Sequence, residues 1–216
     1  MKDINYWNDF YSKGEITFEP SSFAVFCIEK IFNKQKVSNI IELGSGNGRD
    51  AFYIATHKNN VFALEQSKEA VKIEQKHLDI LNKENTNLKL INDDFINFDF
   101  KSVAKEIDIF YSRFTIHSIP EIAETIVLNN VFNTLSSGGI FVIEARTTKD
   151  PLLLKGKKVG FNEFVTDHYR RFIDTDTFIK KAFSIGYKLQ FFTEEDNLSI
   201  YKGDNPVLMR IVLVKP

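Results

Sequence analysis

Short runs of β-branched and aromatic residues recur along the chain, at Asn39 to Leu43, Asn60 to Leu64, Leu88 to Asn92, Ile107 to Tyr111 and Gly139 to Ala145. Each has the length of a strand, and the first three are almost continuously apolar, as strands covered on both faces are. Between them the apolar positions change to a helical period. From Ser67 to Asn82, for example, Ala70, Ile73, His77, Ile80 and Leu81 fall near one face. Strand and helix in alternation predict an α/β fold, a parallel sheet with helices on both faces. After Phe172 the pattern changes. Asp174 or Thr175 is placed to cap a helix running to Ser184, and Gly186 to stop it. Two longer apolar runs follow, Tyr187 to Phe192 and Val207 to Val214, joined by a loop containing Gly203-Asp204-Asn205-Pro206. They read as an antiparallel pair closing one edge of the sheet. The connection from Thr147 to Phe172 is too long for a turn, and connections of that length are more often functional lids than spacers.

Composition narrows the picture. The chain has 216 residues, 43% hydrophobic and 26% charged, which fits one domain with a sizeable core and excludes a disordered chain. Lys+Arg 28 against Asp+Glu 29 gives a net charge of -1, so no bulk attraction draws it to nucleic acid or to an anionic membrane. A single cysteine, Cys27, forms no internal disulfide and no metal-binding cluster, which suits a reducing cytoplasm. No basic-then-apolar leader opens the chain, and no segment approaches the ~20 apolar residues of a membrane span. A soluble cytoplasmic protein without a metal is expected, as a monomer or a homodimer.

The sharpest motif is Ile40 to Asp50, IIELGSGNGRD, an apolar strand entering a loop with Gly44, Gly46 and Gly48 and then helical sequence. Glycines at alternating positions permit tight turns and close approach of a ligand to the backbone. The spacing differs from the dinucleotide fingerprint G-x-G-x-x-G, and no G-K-[ST] ending makes it a P-loop. Glu42 before the loop and Asp50 after it would repel a pyrophosphate and would welcome a ligand with a cationic amino group.

With these residues the chain resembles the class I S-adenosylmethionine-dependent methyltransferases, whose first motif has the form E/D-x-G-x-G-x-G after the first strand. The resemblance extends over most of the chain and implies a Rossmann-like sheet of seven strands, mostly parallel, with a C-terminal antiparallel pair. It implies that Glu42 and the loop of Gly44, Ser45 and Gly46, with Asp50, hold the methionine part of S-adenosylmethionine. Glu65, followed by Gln66, matches the acidic residue that takes the ribose hydroxyls. Asp94 and Phe95 match the pair that meets the adenine. The segment Tyr6-Trp7-Asn8-Asp9-Phe10-Tyr11 and the following EPSSFA resemble the N-terminal cover of small family members. Residues 1–30 are thus expected to close over the cofactor, with Tyr11 or Trp7 offering an aromatic face to the sulfonium.

The acceptor side is read from DIFYSRFTIHSIP, Asp108 to Pro120, where the fourth strand ends. It lacks the Asn-Pro-Pro-Tyr or Asp-Pro-Pro-Tyr signature of methyltransferases acting on base or glutamine nitrogen. In its place stand Tyr111, Arg113 and His117, the candidate catalytic set, with His117 as a general base. The connection over residues 147–172 carries His168, Tyr169, Arg170 and Arg171, which with Arg146 are candidates for binding an anionic acceptor. Either a solvated basic loop or an Arg–Asp structural pair is the plainer alternative. The DHYRRF ending resembles small bacterial methyltransferases associated with capsule and surface-polysaccharide biosynthesis. The expected function is methyl transfer to an oxygen of a small anionic acceptor, phosphorylated or nucleotide-linked. A sulfur, selenium or tellurium methyltransferase of the tellurite or thiopurine type is the alternative reading, and a non-catalytic binder of S-adenosylmethionine the third.

Overall fold

The computed structural model describes residues 3–13, 16–33, 35–80, 87–201 and 203–216. Leu81 and Asn82, the end of the helix expected from Ser67, lie outside the described residues. A seven-stranded sheet runs through the molecule. Its strands are β1 (Asn39–Leu43), β2 (Asn60–Leu64), β3 (Leu88–Ile91), β4 (Ile107–Arg113), β5 (Leu135–Arg146), β9 (Lys188–Glu195) and β10 (Leu208–Val214). The order across the sheet is β3-β2-β1-β4-β5-β10-β9. β1 to β5 are parallel, and β10 is antiparallel to both β5 and β9. Helices α3 (Arg49–Thr56), α4 (Lys68–Ile80), α5 (Glu121–Thr134) and α6 (Thr175–Ile185) connect the strands, and α1 (Ile4–Lys13) and α2 (Ser22–Phe26) precede them.

Strand alternation divides the core. Ile41, Leu43, Phe110 and Ile143 pack on one face, and Ile40, Ile109, Tyr111 and Val142 on the other. Both faces are apolar, which is why these strands read as nearly continuous hydrophobic runs. α6 starts where Asp174 accepts a hydrogen bond from Thr177 N (2.9 Å) and ends at Gly186, φ 117°. A Cβ at Gly186 would press on Phe132, at 2.8 Å from its ring.

One strand runs further than its apolar run predicts. β9 continues past Phe192 through Thr193, Glu194 and Glu195, because pairing with β10, rather than apolarity, sets where it stops. The connection over 147–172 has regular structure of its own. It contains a separate three-stranded antiparallel sheet, β6 (Lys157–Gly160), β7 (Glu163–Val165) and β8 (Tyr169–Arg171).

The topology fixes the place of a site. From β1 the chain winds outward through β2 to β3, then returns to the other side of β1 with β4. Such a reversal opens a crevice beyond the carboxyl ends of the two strands, where ligands bind in open α/β sheets. Here those ends are Leu43-Gly44 and Arg113-Phe114.

Candidate functional site

Beyond β1, Gly44, Gly46 and Gly48 all have positive φ, at 72°, 62° and 80°. Only glycine takes this conformation at three alternate positions without strain. A Cβ on Gly44 would collide with the Thr115 methyl, and one on Gly46 with the Tyr11 hydroxyl. Gly44 N and Ser45 N both donate to Leu64 O (2.8 and 3.0 Å), which fastens the loop to β2. Glu65 at the end of β2 clamps it further, accepting from Gly46 N at 2.8 Å through one oxygen and from Ser67 N at 2.7 Å through the other.

Glu42 is buried at the end of β1, and its Oε2 has no hydrogen-bond partner. Burial, reinforced by Asp50 and Glu74, pushes its carboxyl well above the usual range. Ser45 Oγ is likewise buried and unpartnered. Both residues line a cavity of about 800 Å³ together with Gly44, Gly46, Asp50, Glu65 and Tyr11. Orphaned buried polar atoms are uncommon in native proteins, and an unpaired carboxylate beside bare loop backbone is a receptor for a cationic group. The residues present therefore fit the amino-acid end of S-adenosylmethionine.

Of the other cofactor expectations, Asp50 lines the cavity, but its carboxylate is engaged. It accepts from Ser21 N, Ser21 Oγ and Tyr111 Oη, each at 2.7 Å. Gln66, Asp94 and Phe95 lie outside the cavity lining. Asp94 Oδ1 accepts from Ile96 N (3.1 Å), and Phe95 is buried behind Gly44. Glu74 was not anticipated. It is fully buried on α4 against Gly48, with neither carboxyl oxygen hydrogen-bonded.

The N-terminal segment covers this end. None of the α1 residues is buried, so the helix is held by a few specific contacts. Tyr6 Oη donates to Asp167 Oδ2 (2.9 Å), and Tyr169 N donates to Asp3 Oδ2 (2.9 Å). The His168 ring lies 4.5 Å from Tyr6 and 5.0 Å from Trp7, centroid to centroid. The cover therefore docks on the β7–β8 turn across the cavity mouth. Burial, with Arg170 beside it, pushes the His168 imidazole down to about 4, so it is neutral at physiological pH.

Besides Arg49 of α3, the cavity is lined by Arg113 from β4, Arg146 from β5 and Arg170 from β8. Arg113 donates to Glu144 (3.0 Å) and Ser199 (3.0 Å), and its guanidinium lies 4.2 Å from the Phe114 ring centroid. Phe114 itself has φ 61°, an outlier for a bulky residue, directly at the switch point. Arg170 donates to Asp167 (2.7 Å) and Thr166 (2.6 Å).

The rest of the acceptor set is placed elsewhere. Tyr111 is fully buried beneath the cavity, its phenol pushed up by burial and by Asp50. His117 is buried outside the lining, and its Nδ1 accepts from Arg146 N (3.1 Å). Burial and the Arg146 charge hold it well below the usual imidazole range, which suits an Nδ1 that accepts a hydrogen bond. Arg171 points to the α5 side, donating to Glu124 and to Ile119 O (3.2 Å). Tyr169 is buried behind β7 and outside the lining. The β9–β10 loop, which the sequence presents only as a connection between two strands, supplies Asn197 to Tyr201, Asp204 and Pro206 to the wall.

Among the described residues no helix is long and apolar enough to cross a membrane, and no cluster of His, Cys, Asp and Glu is arranged for a metal ion. Residues 34–171 match the family described as methyltransferase domain. No curated protein matches the chain. Among solved structures, an S-adenosylmethionine-dependent methyltransferase from Methanosarcina mazei superposes with TM-score 0.74 at 13% identity, covering 87% of this chain and 96% of that one. The glycopeptide N-methyltransferase MtfA, crystallised with S-adenosylmethionine, gives 0.70 at 15%, covering 92% and 95%. An S-adenosylmethionine-dependent methyltransferase from Clostridium acetobutylicum gives 0.69 at 13%, covering 99% and 98%. With the family spanning more than half of the chain and the glycine loop built as described, the protein belongs to the methyltransferase-domain family.

Proposed function

We propose that the chain methylates an ionised oxygen of a small anionic acceptor, phosphorylated, nucleotide-linked or carboxylated. The observation that carries this reading is that Arg113, Arg146 and Arg170 line the same cavity as Glu42 and Glu65. Among the described lining residues, the histidine is pushed down to about 4 and Tyr6 up to about 12, so neither is poised to take a proton near neutrality. An acceptor oxygen that arrives already ionised needs no base.

When bound, S-adenosylmethionine supplies an electrophilic methyl group on a cationic sulfur. Glu42 and the glycine loop would hold its amino-acid end, and Glu65 its ribose hydroxyls. The arginines hold the acceptor by charge-assisted hydrogen bonds and align it for displacement. α1 and the β7–β8 turn, joined through Tyr6 and His168, exclude water. Meeting of an anion and a cation disperses charge, and a site of low dielectric favours that step.

The test is a panel of phosphorylated, carboxylated, thiol and amine metabolites with labelled cofactor, read as methylated product. Turnover is expected on the anionic members, and Arg170→Ala should raise KM about tenfold or more, the loss expected of a charge-assisted contact. Methylation of thiols that is unaffected by Arg170→Ala would instead support the sulfur-acceptor reading. A second reading, an amine acceptor, draws on Asp167 and Asp204, whose side chains are the solvent-facing members of the rim ion pairs. The MtfA neighbour is named as an N-methyltransferase. Product formed only with amines would favour it.

A further inference from the structure

Arg146 sits at the end of β5 with two carboxylates on one guanidinium, and the two differ in kind. Asp150, whose side chain is 1% exposed, accepts from Nη1 at 2.9 Å and is anchored in turn by Leu152 N, which donates to its other oxygen at 2.8 Å. Asp204, 46% exposed, takes Nη2 from the opposite side. The arginine itself cannot swing away. Its side chain is 7% exposed, its backbone N–H is held by His117 and its carbonyl by Ile173 N (3.0 Å).

Asp204 lies on the tip of the β9–β10 loop, and that tip is organised by its own bonds. Tyr201 N donates to Asp204 O and Asp204 N to Tyr201 O (3.0 and 2.9 Å), closing a turn in which Gly203 has φ 83°. Asn197 and Asn205 staple its base, Asn197 N donating to Asn205 Oδ1 at 2.8 Å and Asn205 Nδ2 to Asn197 Oδ1 at 3.1 Å. Arg113 and Arg210 hold the base of the loop, donating to Ser199 Oγ and Leu198 O (both 3.0 Å), so release of Asp204 need not disturb those anchors.

We propose that Arg146 is the subsite for the acceptor's oxyanion, and that Asp204 is its resident occupant, displaced when a phosphate or carboxylate binds. This inference rests on the anionic-acceptor reading above and specifies where the anion is held. An Arg fork suits either oxyanion, and exchanging one carboxylate for another anion leaves the local charge unchanged. Asp150 remains as the fixed counter-ion, so Arg146 stays oriented throughout the exchange. Arg170 is a poorer candidate, because its partner Asp167 also holds Tyr6, and displacement there would loosen the cover over the cofactor. On this account the β9–β10 tip sets acceptor selectivity, since only a ligand that outcompetes a tethered carboxylate gains entry.

Calorimetric titration of the full chain with S-adenosylhomocysteine bound, using inorganic pyrophosphate and succinate as separate probes, tests the proposal. Asp204→Asn is expected to tighten binding of at least one probe about tenfold while S-adenosylhomocysteine affinity stays within about twofold, and which probe gains identifies the oxyanion. Arg146→Lys, which keeps a charge for Asp150 but loses the fork, should weaken that probe about tenfold. Unchanged probe affinity in Asp204→Asn overturns the exchange. If the probe still binds wild type and is lost only in Arg170→Ala, the anionic-acceptor reading survives without it. If neither probe binds any of these proteins, both fall.

Discussion

At the scale of single residues, Glu42 carries the most information. A buried carboxyl with one unpartnered oxygen, held well above its usual range by burial and by Asp50 and Glu74, favours its protonated form when no cation faces it. A ligand ammonium favours the ionised form, so binding should expel a proton and tighten as pH rises toward the raised value. Calorimetry of S-adenosylhomocysteine in two buffers of different ionisation enthalpy checks this, and Glu42→Gln should abolish the proton release and weaken binding at pH 8 about tenfold or more. Glu65→Ala should cost about tenfold in the same affinity, as loss of a carboxylate that accepts two hydrogen bonds does. Glu42, Gly44, Gly46 and Glu65 were legible in the sequence because backbone conformation and charge leave few residue types at such positions. Tyr111 and His117 were not, although their chemistry suits catalysis. A side chain on β4 points to one face or the other by register, and Tyr111 falls on the face that packs with Phe23. His117 sits in a short 3-10 turn, Ile116–Ser118, whose direction is decided by the packing of β5 and β8 against it.

At the scale of elements, the cover is a composite. The N-terminal segment is tied below by Ser21 to Asp50 and by Asn47 Nδ2 to Thr17 O (2.7 Å), and on its flank by Phe18 stacked on His77 at 3.7 Å. Above, α1 meets the β7–β8 turn through Tyr6, Asp3 and His168. Tyr6→Phe removes the bond to Asp167 at a half-exposed position. It should leave global stability within about 0.5 kcal/mol and yet speed S-adenosylhomocysteine release several-fold. Trp7, the only tryptophan, lines the cavity and serves as the fluorescent reporter in a stopped-flow displacement. Release rates identical to wild type would show that this contact does not hold the cover. The alternation of strands and helices could be read directly, because hydrophobic period survives without tertiary information. The sheet of β6, β7 and β8 could not. Its strands are three or four residues long and partly charged, and only pairing with one another makes them extended.

At the scale of the whole molecule, the net charge of -1 conceals a concentration of buried acids. Glu42 from β1, Glu65 just after β2 and Glu74 from α4 surround the glycine loop, and burial raises all three carboxyls above their usual value. In the unfolded chain each would titrate near 4.5. Between that value and the raised one, the folded protein holds protons that the unfolded chain has lost. Stability without cofactor should therefore be greatest near or below pH 4.5 as far as these groups are concerned, and fall as pH rises through the window, by up to about 1.4 kcal/mol per pH unit for each group still protonated. Glu74→Gln removes one such group at a site where no cofactor atom is needed to explain it. Its urea midpoint should vary less steeply between pH 5 and pH 8 than that of wild type, with the curves diverging toward alkaline pH in favour of the variant. Saturating S-adenosylhomocysteine should flatten the wild-type curve through Glu42 and leave the contribution of Glu74 in place. Parallel curves for wild type and Glu74→Gln would mean that Glu74 ionises in the folded protein as it does in the unfolded chain, which overturns the raised value.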